Sequence, residues 1–510
     1  MKKIEFTPEL IRECVEKLIP EDELTPLTVG RAMKLPSFYS RLKACEEMYG
    51  TKYAALDSNL QSALVFRRLQ QLFNIAWINP IWRRVFTDGG VCQTPCSMEE
   101  WQEIPISDKN SIRDFYTESR AGVVMPMHPG GFEIVASGGT SDGTPSETVY
   151  SLKELSHTYE LAGDFIGNYM LNHYMTDFEP KWLITTLADY QMWSSGTMVG
   201  GVLQKVPGVN YIGAGPVAPA VFQRMMSYEG QKALMGISQG IAILSELGKG
   251  LGEKERASFR VAMYGSGVLS DKQRAELKDM YPNLSFLSYF AATQAEAIGL
   301  QLDAEKPYLA SVPGLHLIEI VDKKGKWVKE GEEGELVVTR LHATEAPVFR
   351  FRIGDRMIRR PAIDTDLLKT SQFEFAGRSS DVIHIADTQY PAGLVFEAIC
   401  KQFAKYRLFD LKAVADEYQF VNARSVRRLT LLVAVDMPSA AQGALIYMGG
   451  GRMLFMNGLI DALSVFNRGE ANQYSLEKTN YQFDIRFVAK KSSEIFRTEV
   501  GKTPLLKDIL

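Results

Sequence analysis

Residues 137–145 read Ser137-Gly138-Gly139-Thr140-Ser141-Asp142-Gly143-Thr144-Pro145. The glycines let a ligand approach the backbone closely, and the hydroxyls and exposed amides can cradle phosphate oxygens. No Gly-Lys-Ser/Thr follows, so this is not a Walker loop. Taken alone, such a stretch also describes an ordinary surface loop. Its meaning depends on what surrounds it.

On both sides of it, from about 121 to 345, short β-branched runs alternate with helical stretches. Trp182–Leu187, Arg260–Tyr264 and Leu315–Val321 read as strands, and Ser227–Leu247 and Ser270–Met280 as helices. This alternation predicts an α/β architecture with a largely parallel sheet. Lys323-Lys324-Gly325-Lys326 reads as a solvated hairpin turn, with Glu335–Thr339 its return strand. Upstream, Glu9–Leu18 and Ser58–Trp77 carry the helix period, and Ser107 or Asp108 suits the N-cap of a further helix. Downstream of Gly377, a hairpin, a helix at Gly393–Tyr406, a strand at Arg428–Val435, a helix at Gly458–Val465 and a strand near Phe483–Val488 suggest a compact α+β domain. The expected organisation is a helical extension over 1–60, a large domain over 61–376 and a small domain over 377–510.

Composition narrows the class without naming a function. The 510 residues carry 57 Lys and Arg against 61 Asp and Glu, a formal charge of −4, with 45 % hydrophobic residues. Disorder and collagen-like or disulfide-rich classes are excluded. The balance argues against nucleic acid as the main partner. Five cysteines do not make a disulfide framework, and no matching Cys/His pair follows Cys92 and Cys96. The N-terminal lysines precede no apolar region, and no apolar run approaches the roughly 18–20 residues that span a bilayer. A cytoplasmic protein without a membrane partner is expected.

Three more stretches give the glycine-rich loop its context. They are Pro347-Val348-Phe349-Arg350-Phe351-Arg352-Ile353-Gly354-Asp355, then Gly377-Arg378-Ser379-Ser380-Asp381, and near the C-terminus Arg497-Thr498-Glu499-Val500-Gly501-Lys502. In this order they resemble the motifs of the adenylate-forming superfamily of acyl-CoA synthetases, peptide-synthetase adenylation domains and luciferases. Ile104-Pro105 through Lys109 and Ile112-Arg113-Asp114, with Glu332–Thr339, resemble its phenylacetate–CoA ligase branch. The resemblance covers about residues 65–510.

It implies a large multi-subdomain N-terminal domain that binds ATP, Mg²⁺ and a carboxylic acid, and a small mobile C-terminal α+β cap. Lys502 is then the catalytic cation between carboxylate and α-phosphate. Ser137, Gly138, Gly139, Thr140, Ser141 and Gly143 hold phosphate, Gly265 and Ser266 lie beneath the adenine, and Thr293 belongs to the same ATP site. Asp355 accepts the ribose hydroxyls, Arg378 contacts the nucleotide, and Asp381 is the hinge. Charge balance requires cations around the reacting phosphate. Arg350, Arg352, Arg378 and Lys502 are expected to supply that positive charge.

The chain departs from the pattern at several points. The phosphate loop has an extra residue, and Ser146 and Glu147 stand where a lysine is usual; its Gly-Thr-Ser-x-Gly form resembles that of plant-hormone acyl-amide synthetases. Phe290-Ala291-Ala292-Thr293-Gln294 replaces Tyr-Gly-x-Thr-Glu, so the Mg²⁺ ligand is either Gln294 or, in a shifted register, Glu296. Asp387 stands near a glycine that normally lets the pantetheine arm pass. The expected activity is activation of an acid, aryl or arylacetic by branch, as acyl-adenylate, with transfer to CoA or a phosphopantetheine carrier protein. The alternatives are an amine or protein acceptor, or a non-catalytic nucleotide- or acyl-binding relative. A homodimer is compatible with all of these. The Met and aromatic residues from Tyr190 to Trp193 are expected in the core.

Overall fold

The structure is a computed structural model. It describes residues 5–25, 28–117, 119–137, 146–378, 381–385, 388–464, 473–498 and 502–509. The chain forms two compact units. The first is built from 1–236, 258–265 and 285–376; the second from 237–257, 266–284 and 377–510.

In the first unit, β1 (Phe132–Ser137) and β2 (Ser146–Ser151) form an antiparallel pair. The large sheet contains β3 (Lys181–Thr185), β4 (Asn210–Gly213), β5 (Gln231–Ile237), β6 (Phe259–Gly265), β7 (Ser285–Ala292), β8 (Glu296–Gln301), β9 (Tyr308–Ala310), β10 (His316–Val321), β11 (Glu333–Arg340), β12 (Phe351–Asp364) and β13 (Lys369–Arg378). Their order is β10-β11-β12-β13-β9-β8-β7-β6-β5-β3-β4. The sheet changes character at β7. Its pairs β3–β4, β3–β5 and β6–β7 are parallel, whereas β7–β8, β8–β9 and β10–β11 are antiparallel. The expected parallel sheet is therefore only half of it.

Gln231–Ile237 is a strand and not part of a helix over 227–247. Six of its seven residues are buried, and it pairs in parallel with β3. A strand covered on both faces has no period-2 pattern, so its apolar spacing passes for a helix.

The N-terminal helices share the core of the large sheet. Asp57 caps the helix Ser58–Trp77 by accepting from the amides of Asn59 and Leu60 at 2.9 and 3.2 Å. Leu60, Leu64, Leu69 and Leu72 then face the same interior as Val338 and Phe351. Asp108, not Ser107, caps Lys109–Tyr116, in a reciprocal pair with Ser111. Ser107 instead bridges to Phe351, and its hydroxyl donates to the Phe349 carbonyl at 2.7 Å. Two of the quoted motifs are thereby clamped together.

In the second unit, β14 (Val382–Ile385) and β15 (Thr388–Pro391) pair antiparallel. A second sheet has the order β18 (Gln482–Ala489), β17 (Arg428–Val435), β16 (Glu417–Ala423), β19 (Leu506–Ile509). The helices Ala392–Lys405 and Arg452–Ser464 close one apolar core with it, through Ile399, Phe403, Leu459 and Phe420. Among the described residues no helix is long and apolar enough to cross a membrane.

Candidate functional site

In β12 the register against β11 jumps: Val337 faces Arg352, yet Glu335 faces Arg356. Three residues, Ile353, Gly354 and Asp355, therefore oppose the single Leu336. Such a bulge re-aims the side chains it carries. Gly354 takes φ +95°, a region that L side chains rarely adopt, and Asp355 beside it is buried. The Ile-Gly-Asp sequence is the mark of this bulge.

Arg350, just upstream, does not serve the site. Its guanidinium is fully buried and paired with Glu319, with Nη2 3.1 Å from Oε1. It also donates to the carbonyls of Gln102 (2.5 Å), Ile104 (2.8 Å) and Gly325 (2.6 Å). The expectation that it adds positive charge around a ligand is corrected: these acceptors use the charge to hold the sheet to the Ile104-Pro105 stretch. Arg352 pairs with Glu335 at 2.9 Å.

The β1–β2 pair frames the glycine-rich loop, with Ser137 directly opposite Ser146. Gly138, Gly139, Thr140, Ser141 and Gly143 lie outside the described residues, as does Asp387. Glu147 pairs with Arg120 at 2.8 Å. Tyr150 of β2 donates its hydroxyl to the carbonyl of Thr293 at 2.8 Å. The strand leaving the loop is thus tied to the turn between β7 and β8 that carries Thr293, Gln294 and Glu296.

That turn is tight. Ala295 N–H donates to the Ala292 carbonyl at 3.0 Å, and Glu296 takes φ +50°. Gln294 and Glu296 are both buried, and each has one side-chain atom without a hydrogen-bond partner: Nε2 of Gln294 and Oε1 of Glu296. Burial, with the neighbouring Glu154, pushes the Glu296 carboxyl up to about 8, against the opposing pull of Arg340. Glu154 is likewise raised by burial, to about 7. Among the described residues no three His, Cys, Asp or Glu side chains gather into a metal-binding group, Cys92 and Cys96 included.

Gly265 ends β6 where a Cβ would stand 2.7 Å from the Tyr289 ring, so its first reason is strand packing. Ser266 follows at φ +60°. Tyr190 and Met192 are half exposed rather than in the core. They belong to a sharp turn in which Gln191 and Met192 have φ +46° and +65°, and the Met192 carbonyl accepts from Ala136 of β1 at 2.8 Å.

In the second unit, the amide of Asp381 donates to the Arg378 carbonyl at 3.1 Å, and the Asp381 carbonyl accepts from Ala392 at 2.9 Å. Arg378 and Asp381 are therefore fixed to the start of the helix Ala392–Lys405. Lys502 lies on a closed loop. Thr498 N–H donates to the Lys502 carbonyl at 2.8 Å, and Lys502 N–H donates to Thr498 Oγ1 at 3.0 Å. Buried Gln419 of β16 holds both ends: Nε2 donates to the carbonyls of Phe496 (3.1 Å) and Pro504 (2.9 Å), and Oε1 accepts from Phe496 N–H at 2.9 Å. Glu417, also on β16, pairs with Arg497 and accepts from Thr503 Oγ1 at 2.8 Å. Sequence reading missed Glu417 and Gln419. It also missed Tyr150, Glu154 and Arg340, because nothing near a buried polar residue announces a partner far along the chain.

No protein-family model matches the sequence, and no curated protein matches it by sequence. Solved structures do match. 2-Hydroxyisobutyryl-CoA ligase, in the postadenylation state with 2-HIB-AMP, superposes with a TM-score of 0.64 at 16 % identity, over 89 % of this chain and 90 % of that one. Its open conformation with 2-HIB-AMP and CoA gives 0.56 at 16 % identity, over 89 % and 93 %. Its thioesterification state with the same ligands gives 0.54 at 17 % identity, over 89 % and 91 %. Along nine-tenths of its length, the chain therefore has the fold of an adenylate-forming acyl-CoA ligase.

Proposed function

We propose that the protein is an ATP-dependent ligase that activates a carboxylic acid as its acyl-adenylate and passes the acyl group to CoA or a phosphopantetheine carrier. In the first step a carboxylate oxygen bonds to the α-phosphorus, the bond from that phosphorus to the β-phosphate bridge breaks, and pyrophosphate leaves. In the second a thiol attacks the acyl carbon, loses its proton and displaces AMP.

The observation that carries this reading is the loop of Lys502. A surface lysine needs no such framework. Here Thr498 fixes both main-chain groups of the lysine, and two side chains of one strand hold the loop. Fixing a cation in advance is what stabilising charge in a transition state requires. Lys502 is the catalytic residue of the proposal. Asp355, aimed by the β12 bulge, takes the ribose hydroxyls, and Arg378 contacts the nucleotide beside the hinge Asp381. Ser137, Gly138, Gly139, Thr140, Ser141, Gly143, Gly265, Ser266 and Thr293 complete the ATP site.

Mg²⁺ fits Glu296 better than Gln294. The unpartnered atom of Glu296 is a carboxyl oxygen, which a hard cation takes once it displaces the proton that burial favours there; that of Gln294 is an amide nitrogen, a donor that does not ligate a metal. Bound there, Mg²⁺ would neutralise phosphate charge. The acid is aryl or arylacetic on the branch resemblance of Ile104–Asp114 and Glu332–Thr339.

The test is ATP–pyrophosphate exchange with a panel of acids that includes aryl acids and small hydroxy acids. Acid-dependent exchange is expected. Its absence, with no ATP binding by calorimetry, overturns the reading. Mass analysis with CoA and with amines then identifies the acceptor.

A further inference from the structure

Glu154, Arg340 and Tyr150 lie outside the motifs, and we propose that they form a positioning stack that sets the Thr293–Gln294 peptide for the phosphates of ATP. This rests on the ATP reading above. Arg340 of β11 is fully buried, with Nη2 2.6 Å and Nε 3.0 Å from Glu154 Oε1. Its guanidinium carbon lies 3.7 Å from the centre of the buried Tyr150 ring. Tyr150 then donates its hydroxyl to the Thr293 carbonyl at 2.8 Å. One line of contacts runs from β11 through β2 to the turn.

Two physical arguments give the stack a positional role. Removing two charges from water costs about as much as their attraction returns, so apolar replacements of buried ion pairs are often neutral or better. The pair is also incompletely satisfied, since Glu154 Oε2 has no hydrogen-bond partner. Stability alone does not account for it. What it does fix is a direction. Among the described residues there are no cis peptide bonds. In a trans peptide the N–H points opposite to the carbonyl. Holding the Thr293 carbonyl toward Tyr150 therefore turns the Gln294 N–H away from the stack. A main-chain N–H set in a fixed direction is the donor that a phosphate site uses.

Tyr150→Phe tests this, because it keeps the ring over Arg340 and removes only the hydroxyl. Tyr53→Phe is the control: it deletes another buried hydroxyl, which donates to the Gln61 carbonyl at 3.3 Å. Calorimetry measures ATP, with Mg²⁺, and adenosine, which lacks phosphates. Tyr150→Phe is expected to weaken ATP about tenfold and leave adenosine unchanged, as the loss of one directed hydrogen bond implies. Tyr53→Phe should change neither. Unchanged ATP affinity in Tyr150→Phe, or equal losses for ATP and adenosine, would overturn the positioning role alone. Wild-type protein that binds neither nucleotide would overturn the ATP reading and this proposal with it.

Discussion

Arg350 and Glu319 form an ion pair from which water is excluded, with Nη2 3.1 Å from Oε1 and side chains 1 % and 0 % exposed. Three carbonyls, of Gln102, Ile104 and Gly325, share the guanidinium. The pair holds the Phe351 end of β12 to the stretch before the helix Lys109–Tyr116.

Arg350→Met should therefore destabilise the fold, by about 3–5 kcal/mol, because it leaves a buried carboxylate without its partner. Equilibrium urea unfolding measures this. Adding Glu319→Leu should recover part of the loss. A drop in ATP affinity with unchanged stability would return Arg350 to the nucleotide.

Lys502→Ala should lower acid-dependent pyrophosphate exchange by about 10²–10³-fold, the range for losing one preorganised charge donor. Thr498→Val removes the acceptor of the Lys502 amide while leaving the lysine in place. An intermediate loss of about tenfold is expected. Exchange that survives Lys502→Ala removes the central residue of the proposed mechanism.

Gly354→Ala separates backbone strain from packing, since a Cβ there meets no atom within 4 Å. The cost is then that of holding an L-residue at φ +95°, about 1–2 kcal/mol. Because the bulge aims Asp355, the Michaelis constant for ATP should rise in Gly354→Ala, and further in Asp355→Asn. Wild-type kinetics in both would detach the bulge from nucleotide binding.

His342 makes stability pH-dependent. Burial, opposed by a hydrogen bond to the Gly314 carbonyl and reinforced by Arg68, brings its imidazole down to about 3. Unfolded, it ionises near 6.5. Between these values the unfolded chain binds a proton that the native chain does not. Its contribution is present above pH 6.5 and is lost as pH falls. From pH 7.5 to 5.5 the loss is about 1.4 kcal/mol. Chemical denaturation of His342→Gln at both pH values should show a slope smaller by that amount; an unaltered slope refutes the assignment.

The reach of the sequence varied with burial. Arg428–Val435 and Ser270–Met280 were readable, because a nearly continuous apolar run and a capped amphipathic helix carry their own signals. β16 was not. Its residues Gln419 and Asn422 look like loop chemistry but are wholly buried, and their partners lie far along the chain. Asp355 and Lys502 stand out as candidates because their motifs are short and continuous. Arg350 was misassigned for the converse reason: a motif gives residue order, but not whether a guanidinium faces a ligand or three carbonyls. Glu154 and Arg340, 186 residues apart, had no local signal at all.

The first sixty residues cannot be removed as an appendage. Gly314, at φ +77°, lies so close to the helix Phe38–Tyr49 that a Cβ would stand 2.7 Å from Leu42. Leu18, Leu42 and Tyr53 are interior to the first unit. A chain begun at residue 61 would expose that interior to water. A deletion series scored by activity would then mistake a collapsed core for a lost regulator. Any true role of this segment must be sought by surface substitution, with its inner face left intact.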